Sequence, residues 1–122
     1  MIVDDEAAIL FAYSRLIRRE GVEVDSCACI EEAVSMISNG GYRVVIADLR
    51  LSGTDNEDGL SLLRLIRDEH PQSRVILVTG YGSPEIKAAA LALGATHYFE
   101  KPVLPEVVLT ALMGLLDQTD PR

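Results

Sequence analysis

Four short apolar runs in this sequence end on residues that can do polar chemistry. Val3 leads into Asp4-Asp5-Glu6, Val45-Ile46-Ala47 into Asp48, Val78 into Thr79-Gly80, and Tyr98-Phe99 into Glu100-Lys101-Pro102. Brought together, they would place three aspartates, a hydroxyl and an ammonium in one place. Carboxylates held about 5 Å apart repel by roughly 3 kcal/mol per pair at an effective dielectric of 20, so such a set needs a counter-charge. Oxygen ligands of this kind favour Mg²⁺, which takes only a few protein carboxylates and keeps several waters. A metal, a lysine and a hydroxyl around one carboxylate suit phosphoryl transfer, where catalysis is mostly positioning and charge neutralisation. An aspartate can itself be the nucleophile and form an aspartyl phosphate.

These residues can meet only if their runs are strands of one sheet. Met1–Val3, Val44–Ala47 and Val75–Val78 read as strands, with weaker ones over Gly21–Ala28 and at Tyr98–Phe99. Runs without alternation suit a parallel sheet covered on both faces. Helical spacing fills the intervals. Ile9, Leu10, Tyr13, Leu16 and Ile17 form one stripe, with Gly21 as a stop. Ile30, Ala33, Val34 and Ile37 form the next, ended by Asn39-Gly40-Gly41. Leu60, Leu63 and Ile66 close at His70-Pro71. Ser83-Pro84 supplies an N-cap and first-turn proline for a helix running to Gly94, and Val108, Leu112 and Leu115 line a last helix from near Pro105. Strict alternation predicts an α/β, doubly wound (βα)₅ fold with right-handed crossovers, whose ligands sit beyond the carboxyl ends of the strands.

The chain has 122 residues, 48% hydrophobic and 25% charged, with net charge -8. That length fits one domain with its own core. An acidic surface is a poor partner for a duplex, so no direct nucleic-acid binding is expected. No run can span a bilayer and no signal peptide opens the chain, so a cytoplasmic protein without membrane contact is expected. Cys27 and Cys29 lie too far apart for an easy disulfide if extended, and read as two small packing residues. His70 and His97 read as structural. The first strand is short for a central one, which suggests truncation and a piece of something larger.

Taken together, Val3-Asp4-Asp5-Glu6, Val45-Ile46-Ala47-Asp48, Val78-Thr79-Gly80 and Glu100-Lys101-Pro102 resemble the receiver domains of two-component response regulators over nearly the whole chain. The resemblance implies a flavodoxin-like sheet of order 2-1-3-4-5 and one receiver domain over 1–122, with no effector domain. It implies Asp48 as phosphoacceptor and Asp4, Asp5, Asp48 and the Arg50 carbonyl as ligands of Mg²⁺, with Mn²⁺ able to substitute. Thr79 and Lys101 would meet the phosphoryl oxygens, a cis peptide would join Lys101 to Pro102, and Tyr98 would swing inward as Thr79 moves. Implied partners are a sensor histidine kinase or phosphotransfer protein, an output domain or effector outside this chain, and a second copy through the face of helix 4, strand 5 and helix 5. On that basis the domain is not an enzyme beyond Mg²⁺-dependent self-phosphorylation and autodephosphorylation. One departure stands out: Asp48 is followed by a long acidic loop, Leu49 to Gly59, with Ser52 where the family has proline.

Each motif alone has a plainer account. Asp4 and Asp5 could favour the positive end of the first helix, Thr79 could be a cap, Lys101 a surface lysine, and Tyr98 a core aromatic with a wet hydroxyl. Thr54, Asn56, Asp58 and Gly59 mimic part of a calcium loop, but Leu65 stands where the closing glutamate belongs. Two other functions share this chemistry. A haloacid-dehalogenase-like phosphatase wants its nucleophile on the first strand and a second aspartate two residues on, where this chain has Arg50. A scaffold that is never phosphorylated would need no metal.

Overall fold

The computed structural model describes residues 1–48, 57–80 and 82–118. Five parallel strands, β1 (Ile2–Val3), β2 (Ser26–Cys27), β3 (Val44–Ala47), β4 (Arg74–Thr79) and β5 (His97–Glu100), form one sheet of order β2-β1-β3-β4-β5. They alternate with α1 (Ala7–Arg19), α2 (Ile30–Asn39), α3 (Glu57–Glu69), α4 (Pro84–Ala92) and α5 (Pro105–Gln118). The predicted (βα)₅ fold and its strand order are the ones observed.

The strands are apolar without alternation because both faces are covered. Val45, Ala47, Val75 and Leu77 pack with Ala33 and Ile37 of α2 and with Leu62, Leu63 and Ile66 of α3. Their neighbours Val44, Ile46, Ile76 and Val78 turn the other way, onto Tyr13 and Ile17 of α1 and Val108, Leu112 and Leu115 of α5. Each buried aliphatic side chain is worth about 1.5–3 kcal/mol relative to exposure, so a one-residue slip would be heavily penalised. Helix ends follow local chemistry. The Ile86 N–H donates to the Ser83 hydroxyl at 3.1 Å, capping α4, and Gly21 leaves α1 at φ 80° with its N–H donating to the Arg18 carbonyl.

Two expectations need correction. The second strand, predicted over Gly21–Ala28, pairs only at Ser26–Cys27. Val22 and Val24 pack on the α1/α5 side of the core rather than extending the ladder. Cys27 is buried, but Cys29 is not a packing residue: it stands exposed at the N-cap of α2, because the strand ends at Cys27 and the chain bends before the helix. Among the described residues no helix is long and apolar enough to cross a membrane. A cavity of about 580 Å³ lies at the amino ends of the strands, between Ile17, Val24, Val44 and Leu116, away from Asp4 and Asp48.

The thiols should therefore differ in reactivity. Burial, with Glu32 and Cys29 nearby, pushes the Cys27 thiol up to about 11, and thiolate is the reactive species. A thiol reagent at pH 8 should label Cys29 rapidly and Cys27 only after denaturation, as peptide mapping by mass spectrometry would show.

Candidate functional site

Backbone register sets the site. Val3 pairs with Ala47, so Asp4 and Asp48 leave adjacent central strands at the same level. The Asp48 N–H donates to the Val3 carbonyl at 3.1 Å and the Asp4 N–H to the Cys27 carbonyl at 3.2 Å, which fixes both main chains. Thr79 pairs with Glu100, and the Lys101 N–H donates to the Thr79 carbonyl at 2.8 Å. The Lys101–Pro102 peptide is cis.

From the end of β5 the Lys101 side chain reaches the central strands. Its Nζ lies 3.2 Å from Asp48 Oδ2 and 3.4 Å from Asp4 Oδ2, with Glu6 Oε1 at 3.8 Å. Asp4 is 4% exposed, Asp48 5% and Thr79 not at all. An ion pair of this length is worth about 5 kcal/mol at an effective dielectric of 20, before the desolvation of both partners is counted. Burial alone would pull the lysine down, but the charges of Asp48 and Asp4 and their hydrogen bonds hold it above its ordinary value. Burial also raises the Asp4 carboxyl, although the Glu6 N–H and the Lys101 charge oppose the shift. One ammonium thus serves two buried carboxylates, and the pocket keeps a negative surplus.

Asp4 does both things its position allowed. Its Oδ1 accepts the Glu6 N–H at 2.9 Å, at the start of α1, while Oδ2 accepts from Lys101. Asp5 is exposed and does not join the buried pair: the chain turns at this point, so its neighbour goes in and it goes out. Among the described residues no three of His, Cys, Asp and Glu stand close enough together to hold a metal ion. Arg50 and its carbonyl, and the acidic loop through Asn56, lie outside the described residues. Tyr98 is half-buried on β5, with Lys87 Nζ 5.9 Å from its ring centroid, and its hydroxyl is already enclosed.

Two neighbours of the site escaped the sequence reading. The Tyr13 ring lines a small cavity of about 10 Å³ with Asp4, Asp48 and Val78. A phenol among aliphatic helix positions was the one available signal. Gly82 faces the Tyr98 hydroxyl, and no periodicity connects those two positions.

Comparison with known proteins agrees with this fold. The family model described as response regulator receiver domain matches residues 1–113. The acid tolerance regulatory protein ActR of Rhizobium meliloti is 31% identical over 113 residues, 93% of this chain and 57% of that protein. This chain spans no more than 60% of the length of the first curated relatives it matches. A CheY-like receiver domain protein from Methanospirillum hungatei superposes with a TM-score of 0.88 at 33% identity, covering 97% of this chain and 92% of that one. A response regulator from Burkholderia pseudomallei, solved with a phosphorylated aspartic acid, a calcium ion and citrate, gives 0.79 at 25% identity, covering 98% and 73%.

The raised Asp4 carboxyl has a consequence for stability. An acid whose folded value lies above its unfolded one adds stability below the unfolded value, and that stability is lost as pH rises through the folded value. At pH 7 the Asp4 charge is therefore a cost. Asp4→Asn should raise the melting temperature at pH 7 by a few degrees, on the order of 1 kcal/mol as when a functional charge is removed. The gain should vanish near pH 3, where wild-type Asp4 is protonated. Calorimetry at both pH values checks it, and equal gains at the two would refute the charge explanation.

Proposed function

This chain belongs to the response regulator receiver domain family, and from that premise we propose that Asp48 is its phosphoacceptor. The observation that carries the assignment is the buried Asp48 carboxylate paired at 3.2 Å with the Lys101 ammonium. A carboxylate oxygen of Asp48 attacks the phosphorus of a phosphohistidine on a sensor histidine kinase or phosphotransfer protein. The O–P bond forms as the P–N bond breaks, and its electron pair returns to the imidazole. Lys101 then pairs with the phosphoryl oxygens and the Thr79 hydroxyl hydrogen-bonds to them.

The donor set suits a small hard cation: two buried carboxylates with one ammonium between them, and a third carboxylate, Asp5, next in sequence. Asp4, Asp5, Asp48 and the Arg50 carbonyl would hold Mg²⁺, or Mn²⁺ in its place. When bound, the ion supplies the charge neutralisation that lets a phosphoryl group approach a carboxylate. The phosphorylated aspartic acid and calcium ion reported for the Burkholderia relative support this reading.

The output is a switch of protein surface rather than turnover of an external substrate. Added negative charge at Asp48 draws Thr79 and Lys101 toward it, which shifts β5 and the α4 and α5 surfaces beside it. Leu91 on α4, Leu104 before α5 and Val107 on α5 are exposed apolar residues in this part of the fold, which supports docking of an output domain, an effector or a second copy there. On this reading the domain works in the cytoplasm, where it meets its kinase. The phosphatase alternative gains no support, since Asp48 follows β3 and not the first strand.

Incubation with acetyl phosphate and Mg²⁺ should add the mass of one phosphoryl group to the intact protein. Chelating the metal, or Asp48→Ala, should abolish the gain. A wild-type protein that gains nothing would favour the scaffold alternative, and an undiminished gain in the Asp48 variant would place the phosphoryl group elsewhere.

A further inference from the structure

Gly82 lies between β4 and α4, where the chain passes the Tyr98 ring. A Cβ built on Gly82 would overlap the Tyr98 hydroxyl oxygen and would fall 3.0 Å from its Cζ and 3.0 Å from Glu100 Oε2. Real Cβ atoms do not come that close. The backbone does not explain the glycine, because the positive-φ glycines among the described residues are Gly21 and Gly94. Gly82 is not one of them, and what the position visibly withholds is volume.

The inward ring is held only by packing. Tyr98 contacts the buried cluster of the α2/α3 side and has Lys87 over its face, yet its hydroxyl is enclosed with no hydrogen-bond partner among the described residues. Enclosing a hydroxyl unpaired is unfavourable. A ring held in by contact and penalised at its tip is open to displacement by a group placed in its path.

We propose that Gly82 is a positioning residue: the side chain it lacks is the space that admits the Tyr98 hydroxyl, and any side chain there holds the ring out on the α4/β5 surface. The Glu100 carboxylate is the end of a flexible chain and can step aside, whereas the phenol oxygen can leave only by rotating the whole ring. Position 82 thereby sets which surface β5 presents. The consequence for signalling rests on the phosphoacceptor reading above, whereas the steric claim does not.

The test is Gly82→Ala with selectively labelled tyrosine, the Tyr98 ring signal being assigned through Tyr98→Phe. In the wild type that signal should be shielded from a soluble paramagnetic agent. In Gly82→Ala its broadening should rise severalfold, to the level of an exposed ring. In a Tyr98→Ala background the same methyl should leave the melting temperature unchanged. If Gly82→Ala alone does not fold, recovery of folding in the double variant supports the proposal and failure to recover overturns it. A Tyr98 signal as shielded in Gly82→Ala as in wild type overturns it, as does equal destabilisation by the methyl with and without the phenol. Phosphoryl uptake from acetyl phosphate is followed in parallel. Its absence in wild type would remove the phosphoacceptor assignment and leave the ring measurement standing.

Discussion

One ammonium shared by two buried carboxylates is the constraint around which the rest of this molecule is arranged. Asp4 and Asp48 are almost withdrawn from solvent, and each would be costly to bury alone. Only Lys101 lies within ion-pair distance of both among the described residues, and it comes from the far end of the chain. The strand order makes the arrangement possible. β1 and β3 are hydrogen-bonded neighbours, so their carboxylates emerge side by side, and β5 stands beyond β4, so its lysine must extend across the sheet end to reach them.

Asp4 shows how local and long-range demands meet in one side chain. One oxygen takes a backbone N–H at the entrance to α1, and the other takes the lysine. The first helix is thereby tied to the pocket through a single carboxylate. Any ligand that competes for that carboxylate also acts on the start of the helix.

Much of this was legible in the residues, for a physical reason. A strand buried on both faces must be a short apolar run, and a polar residue closing such a run must lie at the sheet edge. Four such closures, at Asp4, Asp48, Thr79 and Lys101, therefore announced both the fold and the pocket. What was not legible depended on contacts with no sequence period. Val22 and Val24 look like strand residues, yet they satisfy their burial against α1 and α5 without a ladder. Asp5 has the same chemistry as Asp4, but a turn of the chain separates their fates. The depth of Tyr98 depends on Gly82, a residue on another segment whose relevant property is a missing atom.

The backbone bond from the Lys101 N–H to the Thr79 carbonyl joins two pocket residues on one rung of the sheet. Traction on either side chain is therefore felt by both main chains at once. β5, like β2 at the opposite edge, is an outermost strand with a single hydrogen-bonded neighbour, so it is a compliant margin of the sheet. A force applied at the pocket is relieved there as a small shear along the rim, with no residue-by-residue relay required.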